Sequence, residues 1–127
     1  DHDRGIFEAR KQKMTEVADA LNDKYGQGTV ELTLTDSYYN MKEIIEKHMH
    51  LIDYAKAVMS DLGMKANIIP VRGGTDGCRL SYMGLPCPNL GTGGYAYHGV
   101  LEHITKEGME KASAVVVGLI QKYAQFK

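Results

Sequence analysis

Charge of one sign is what this sequence has least of. Its 127 residues carry 15 Lys and Arg against 16 Asp and Glu, a formal net charge of -1. That removes the electrostatic reason to expect nucleic acid or an anionic membrane as a partner. Long apolar runs are missing too, since none approaches the roughly 20 residues needed to span a bilayer. Cysteine is scarce. Cys78 and Cys87 are separated by eight residues, a spacing that fits no common zinc knuckle or redox motif, so they read as two thiols in a reducing cytosol, with a disulfide as the alternative. The opening residues Asp1, His2, Asp3 and Arg4 are neither a signal peptide nor an initiator methionine, so the natural start is expected to lie elsewhere.

Glycine, by contrast, is plentiful, with 14 residues. Two glycine-rich stretches stand out: R-G-G-T-D-G at 72–77 and G-G-Y-A-Y-H-G at 93–99. Each follows a short apolar segment, and between them they hold a threonine hydroxyl, an acid, an arginine and a histidine. Glycine lets a backbone turn through positive φ and approach a ligand closely, so the pair points to a polar-ligand site at a sheet edge. A phosphate cradle is a poor match, because neither G-x-x-x-x-G-K-[ST] nor G-x-G-x-x-G is present. The plain alternative is a pair of tight turns between strands and helices.

The rest of the chain alternates elements and has no repeats. Phe7, Met14, Val17, Ala18, Leu21 and Tyr25 recur at helical steps, with Gly26 and Gly28 as the stop. Residues 29–35 alternate apolar and polar, the period of a strand with one wet face. A polar corner at 36–40 follows. A second helix starts at Met41 or as late as His48 and runs to Leu62, capped by Gly63. A fully apolar strand is predicted over 68–71, a short helix over 76–83, another buried strand over 86–90, and a closing helix with Met109, Ala112, Val116, Leu119, Ile120 and Tyr123 on its stripe and Thr105 as N-cap. The change from half-wet to buried strands predicts an α/β chain in two layers, with the 30–34 and 68–71 strands pairing with different neighbours. A front piece of this size cannot hold a core of its own and is expected to belong to something larger.

Among the polar residues, His98 taken alone reads as a packed or exposed imidazole, since zinc needs three or four donors and no second one stands at metal spacing. Glu102, four residues on, could orient its ring. His48 and His50 fall on opposite sides of any helix, and His2 and His103 lie among solvated charges. Arg72 is the cation placed inside a glycine loop, suited to a bidentate grip on a carboxylate or simply to the surface. Tyr38 and Tyr39 read as packing at a corner.

D-S-Y-Y-N-M at 36–41, R-G-G-T-D-G at 72–77, M-G-L-P-C-P-N at 83–89 and Y-H-G at 97–99 followed by Glu102 resemble, in order and spacing, the C-terminal third of the cytosolic tripeptide aminopeptidases of the dizinc exopeptidase superfamily. The resemblance implies that residues 1–36 end an inserted α+β lid, a dimerisation-like domain, and that 37–127 are the last βα units of a mixed-sheet zinc-peptidase catalytic domain. It makes His98 a zinc ligand, Glu102 its helper in the same loop, and Arg72, Gly73, Gly74, Thr75 and Asn89 parts of the substrate cleft. It places the other zinc ligands, the bridging aspartate and the general-base glutamate upstream of this sequence. The expected chain is therefore an inactive fragment with an incomplete site for two zinc ions. Its expected partners are a tripeptide substrate, the missing N-terminal part and possible copies of itself. Another dizinc exopeptidase, such as a dipeptidase or an aminoacylase-like amidohydrolase, and a stand-alone anion-binding module are the alternatives.

Overall fold

The computed structural model describes residues 2–71 and 73–125. Five helices and one small sheet form among them: α1 (Arg4–Tyr25), α2 (Lys42–Ile45), α3 (His50–Asp61), α4 (Asp76–Tyr82), β1 (Gly94–Tyr95), β2 (His103–Ile104) and α5 (Lys106–Ala124). The sheet is antiparallel, with Gly94 opposite Ile104 and Tyr95 opposite His103. No helix among the described residues is long and apolar enough to cross a membrane.

Local chemistry explains the helix ends. The Asp3 carboxylate accepts the Ile6 N–H and starts α1, and Gly26 ends it at φ +105°. Thr105 caps α5 as the sequence predicts, its hydroxyl accepting the Gly108 N–H at 3.0 Å. Gly63, at φ +70°, closes α3 with a Schellman pair: its own N–H goes to the Ser60 carbonyl and the Met64 N–H to that of Met59. Of the two starts expected for the second helix the later is the nearer one, since α3 begins at His50, and the earlier stretch is a separate turn. That turn is α2, and i to i+3 bonds from Lys47 and His48 break the α-helical ladder before α3 begins.

The three predicted strands do not form. Residues 30–34, 68–71 and 86–90 pair with no strand among the described residues, so neither of the first two has the sheet neighbours expected of it. A strand is made by a partner's backbone, and the segment also lacks cover for its side chains: Ile68 and Ile69 are 63% and 65% exposed. Residues 30–34 instead run back along α1. Asn22 takes both polar groups of the Val30 backbone, accepting its N–H at 2.8 Å and donating to its carbonyl at 3.0 Å. Residues 86–90 are tied to α4, where the buried Ser81 hydroxyl accepts the Cys87 N–H at 3.0 Å.

The buried core is small and divided. Val58 of α3 and Val115 of α5 are buried, and those two helices pack together, while Ile45, Cys78 and Ser81 are buried in α2 and α4. The stripe predicted for α5 is only partly the buried one. Ala112 and Leu119 are half-buried beside Val115, whereas Met109, Val116, Ile120 and Tyr123 are exposed. An apolar surface therefore continues round the helix beyond the face that α3 covers.

Candidate functional site

The first glycine stretch is built as a tight junction. Arg72 lies outside the described residues. Gly73 turns at φ +98°. At Gly74 a β-carbon would run into the ring of Tyr38, whose hydroxyl oxygen would stand 2.9 Å from it. At Gly77 a β-carbon would meet the Cys87 carbonyl at 2.5 Å and Asn89 Oδ1 at 2.9 Å. The close approach at both glycines is to the protein's own atoms, a movable ring at Gly74 and backbone at Gly77, and not to the ligand the sequence suggested.

Thr75 stands at the N-cap of α4, yet its side chain makes no capping bond. Its Oγ1 instead accepts from Asn89 Nδ2 at 3.0 Å and lies 3.6 Å from the Cys78 sulfur. Gly73, Gly74, Thr75 and Asn89 are therefore brought into one cluster, together with a residue the sequence had given only a packing role, Tyr38. A cleft of about 660 Å³ opens beside it, with Arg4, Phe7, Tyr39, Gly73 and Tyr82 in its wall. Cys78 and Cys87 are free thiols, the first buried and the second half-buried.

Part of the cleft wall belongs to a charged and aromatic network at the polar corner. Lys11 Nζ lies 2.8 Å from Glu8 and 2.9 Å from Asp36, and Asp36 also accepts the Tyr39 hydroxyl at 2.7 Å. Arg4 sits 4.3 Å above the Tyr39 ring and 3.3 Å from Glu43, which also takes the Tyr82 hydroxyl at 3.3 Å. The bonds from Lys11 and then Tyr39 hold the Asp36 carboxyl below its usual range. Glu8 first and Asp36 second hold the Lys11 ammonium above its own. The bond to Asp36, with burial, raises the Tyr39 phenol. The sequence located this corner but not its partners, because Lys11 and Asp36 are 25 residues apart and no local pattern links them.

The second glycine stretch carries His98 at the tip of the β1–β2 connection. His98 has φ +64° and Ala96 φ +54°. Glu102 does not reach the imidazole as expected. Its Oε2 accepts the backbone N–H of His98 at 3.0 Å, because the turn from Gly99 to Glu102 folds the carboxylate onto the peptide. Among the described residues the His98 ring nitrogens have no hydrogen-bond partner, and the residue is exposed. The base of the connection is firm: Tyr95 stacks on His103 at 5.4 Å, and Thr92 and Tyr97 share a hydroxyl hydrogen bond of 3.0 Å. His103 is exposed, as is His2. His48 and His50 do not stand on opposite sides of one helix as the sequence suggests, since His48 precedes α3 and the two rings meet edge to face at 6.0 Å.

One exposed imidazole with free ring nitrogens is chemically suited to donate to zinc, but it is a single donor. No three His, Cys, Asp or Glu side chains converge as a metal site among the described residues. No hydrogen bond, ion pair or ring contact joins the His98 connection to the Thr75–Asn89 cluster among those residues.

No family model matches the chain, but individual proteins do. A protein named Peptidase T from Caldanaerobacter subterraneus is 50% identical over 125 residues, which are 98% of this chain and 31% of that protein. Peptidase T of Vibrio atlanticus is 53% identical over 124 residues, with 98% and 30% covered, and Peptidase T of Escherichia fergusonii is 51% identical over 130 residues, with 98% and 31% covered. The chain thus spans about 30% of the length of the curated relatives it matches.

Proposed function

We propose, from a chain homologous to the Peptidase T proteins over 98% of its own length, that these residues form part of a zinc-dependent aminopeptidase of the cytoplasm that releases the N-terminal residue of tripeptides. The similarity along almost the whole chain carries the reading. In it, residues 1–36 end a lid and 37–127 belong to the catalytic domain, whose sheet would supply the neighbours that 68–71 and 86–90 lack. Further copies of the chain would be additional partners.

His98 would hold zinc as a neutral imidazole, and the free state of its ring nitrogens suits that role. Bound zinc supplies Lewis acidity toward a carbonyl oxygen. The chain's own groups would shape the cleft. Gly73, with open space at its β-position, would give a peptide substrate close access to the backbone, Gly74 would seat the Tyr38 ring beside it, and Asn89 fixes the Thr75 hydroxyl. From the sequence, Arg72 would pair with a substrate carboxylate. Glu102 would act beside His98 without occupying the ring.

Metal analysis after dialysis and a tripeptide hydrolysis assay test the reading. The 127 residues alone should hold no stoichiometric zinc and show no turnover, because a two-zinc centre needs carboxylates to neutralise and bridge the ions. In a protein of the relatives' full length, His98→Ala should remove most activity. Arg72→Ala there should raise KM and leave zinc content unchanged. Stoichiometric zinc or turnover from the 127 residues would overturn the reading.

A further inference from the structure

We infer that Glu102 is a positioning residue for His98 that acts on the peptide backbone and leaves the imidazole free. The inference rests on the proposed role of His98 as a zinc donor and adds how its position is held. The glycines of this loop do not stand at all of its left-handed positions. The stretch from 93 to 99 contains three glycines, and Gly93 takes a positive φ while Gly94 and Gly99 do not. The two further left-handed positions fall on Ala96 and His98, which carry β-carbons. An L-residue resists that conformation, because its β-carbon crowds the following carbonyl. Such outliers persist only where the surroundings over-determine them, and they gather at ligand sites.

Three bonds do the over-determining. The Gly99 N–H reaches back to the Ala96 carbonyl at 3.2 Å and the Glu102 N–H to the Gly99 carbonyl at 3.0 Å. These two successive turns bring the Glu102 side chain round to the start of the connection. Its carboxylate then accepts the His98 N–H at 3.0 Å. An ionised acceptor makes this the strongest of the three. A glycine at 98 would reach the same φ without help but would have no imidazole. A ring held by Glu102 instead would have one nitrogen occupied. The arrangement seen keeps both nitrogens available and fixes the backbone from which they project.

Amide exchange measured by NMR on the 15N-labelled 127-residue chain tests this without requiring zinc. Glu102→Ala should speed exchange of the His98 amide about tenfold, the loss of one charge-assisted bond. It should also expose the β1 and β2 amides. Glu102→Gln, which keeps an acceptor oxygen, should retain most of the protection. Adding His98→Gly to Glu102→Ala should restore the β1 and β2 shifts, because glycine adopts the left-handed backbone unaided. Protection in α3 and α5 reports that each variant is folded. Unchanged His98 exchange in Glu102→Ala, equal losses in the Ala and Gln variants, or no restoration by glycine would each overturn the inference. A His98 ring that takes no zinc in the full-length protein would overturn the functional reading and with it the positioning role, while the exchange data would still show that Glu102 holds the His98 peptide.

Discussion

Two glycines three residues apart separate a soft close contact from a hard one. The neighbour that a methyl group would strike at Gly74 is the far end of the Tyr38 ring, 42% exposed and able to swing. At Gly77 it is the carbonyl of Cys87, in a backbone already pinned by Ser81. Gly77→Ala should therefore cost about 1–3 kcal/mol, as overpacking does, and Gly74→Ala clearly less. Tyr38→Ala should rescue the second and not the first, which thermal midpoints of the single and double variants would show. Charge gives a second prediction at this scale. The Asp36 carboxyl is held low by Lys11 and Tyr39, so its contribution is present above the unfolded value of about 3.9 and lost as pH falls through the lower folded value. Lys11 is held high, and its contribution is complete below about 10.4 and lost as pH rises through the folded value. The attachment of α1 to the corner should persist between those limits. Asp36→Asn should abolish the acid limb, and NMR shifts of α1 followed against pH would register it. The glycine stretches, Thr75, Asn89 and His98 were all legible as residues because composition and motif mark them. Tyr38 as a lid on Gly74, and Glu102 as a partner of a peptide N–H, were not, since only the folded turn determines what a side chain reaches.

Elements whose bonds are local were readable, and elements whose bonds are not were misread. Apolar periodicity and caps locate α1, α3 and α5, because a helix satisfies its backbone within itself. The same alternation at 30–34 signals a strand but cannot provide the neighbour that makes one. Asn22 supplies a substitute there, a side chain that satisfies the Val30 backbone in place of a strand. Helix packing shows the same limit. Gly118 looks like a weak point of α5, costing about 1 kcal/mol of helix propensity against alanine, yet a β-carbon there would stand 2.6 Å from Val58 Cγ1 of α3. The clash should outweigh the propensity gain, so Gly118→Ala should be neutral to destabilising by about 1–2 kcal/mol. In a Val58→Ala background the same change should stabilise by up to about 1 kcal/mol. A double-mutant cycle on unfolding free energies would show the change of sign, and additive effects would mean that the two helices do not meet at Gly118.

At the scale of the whole molecule the surface does not match the mass. A compact monomer of 14.1 kDa would expose roughly 6,700 Å², whereas this chain exposes 9840 Å². The excess of roughly 3,000 Å² is larger than a standard protein–protein interface of about 1,600 Å². Much of it is apolar, as Ile68 and Ile69 on an unpaired segment and Ile120, 65% exposed on α5, illustrate. Apolar area of that extent gains about 25 cal/mol for each Å² removed from water, so isolated chains at micromolar concentration should cover it by associating. Sedimentation should show mass rising with concentration, and a hydrophobic dye should bind and fluoresce. If the natural cover is the remaining length seen in the relatives, supplying that polypeptide in trans should suppress both signals together, with exchange protection gained at 68–71. Residual dye binding in a stable complex would mean that this face serves another partner. A compact monomer that binds no dye would show that the exposed area is folded away in solution.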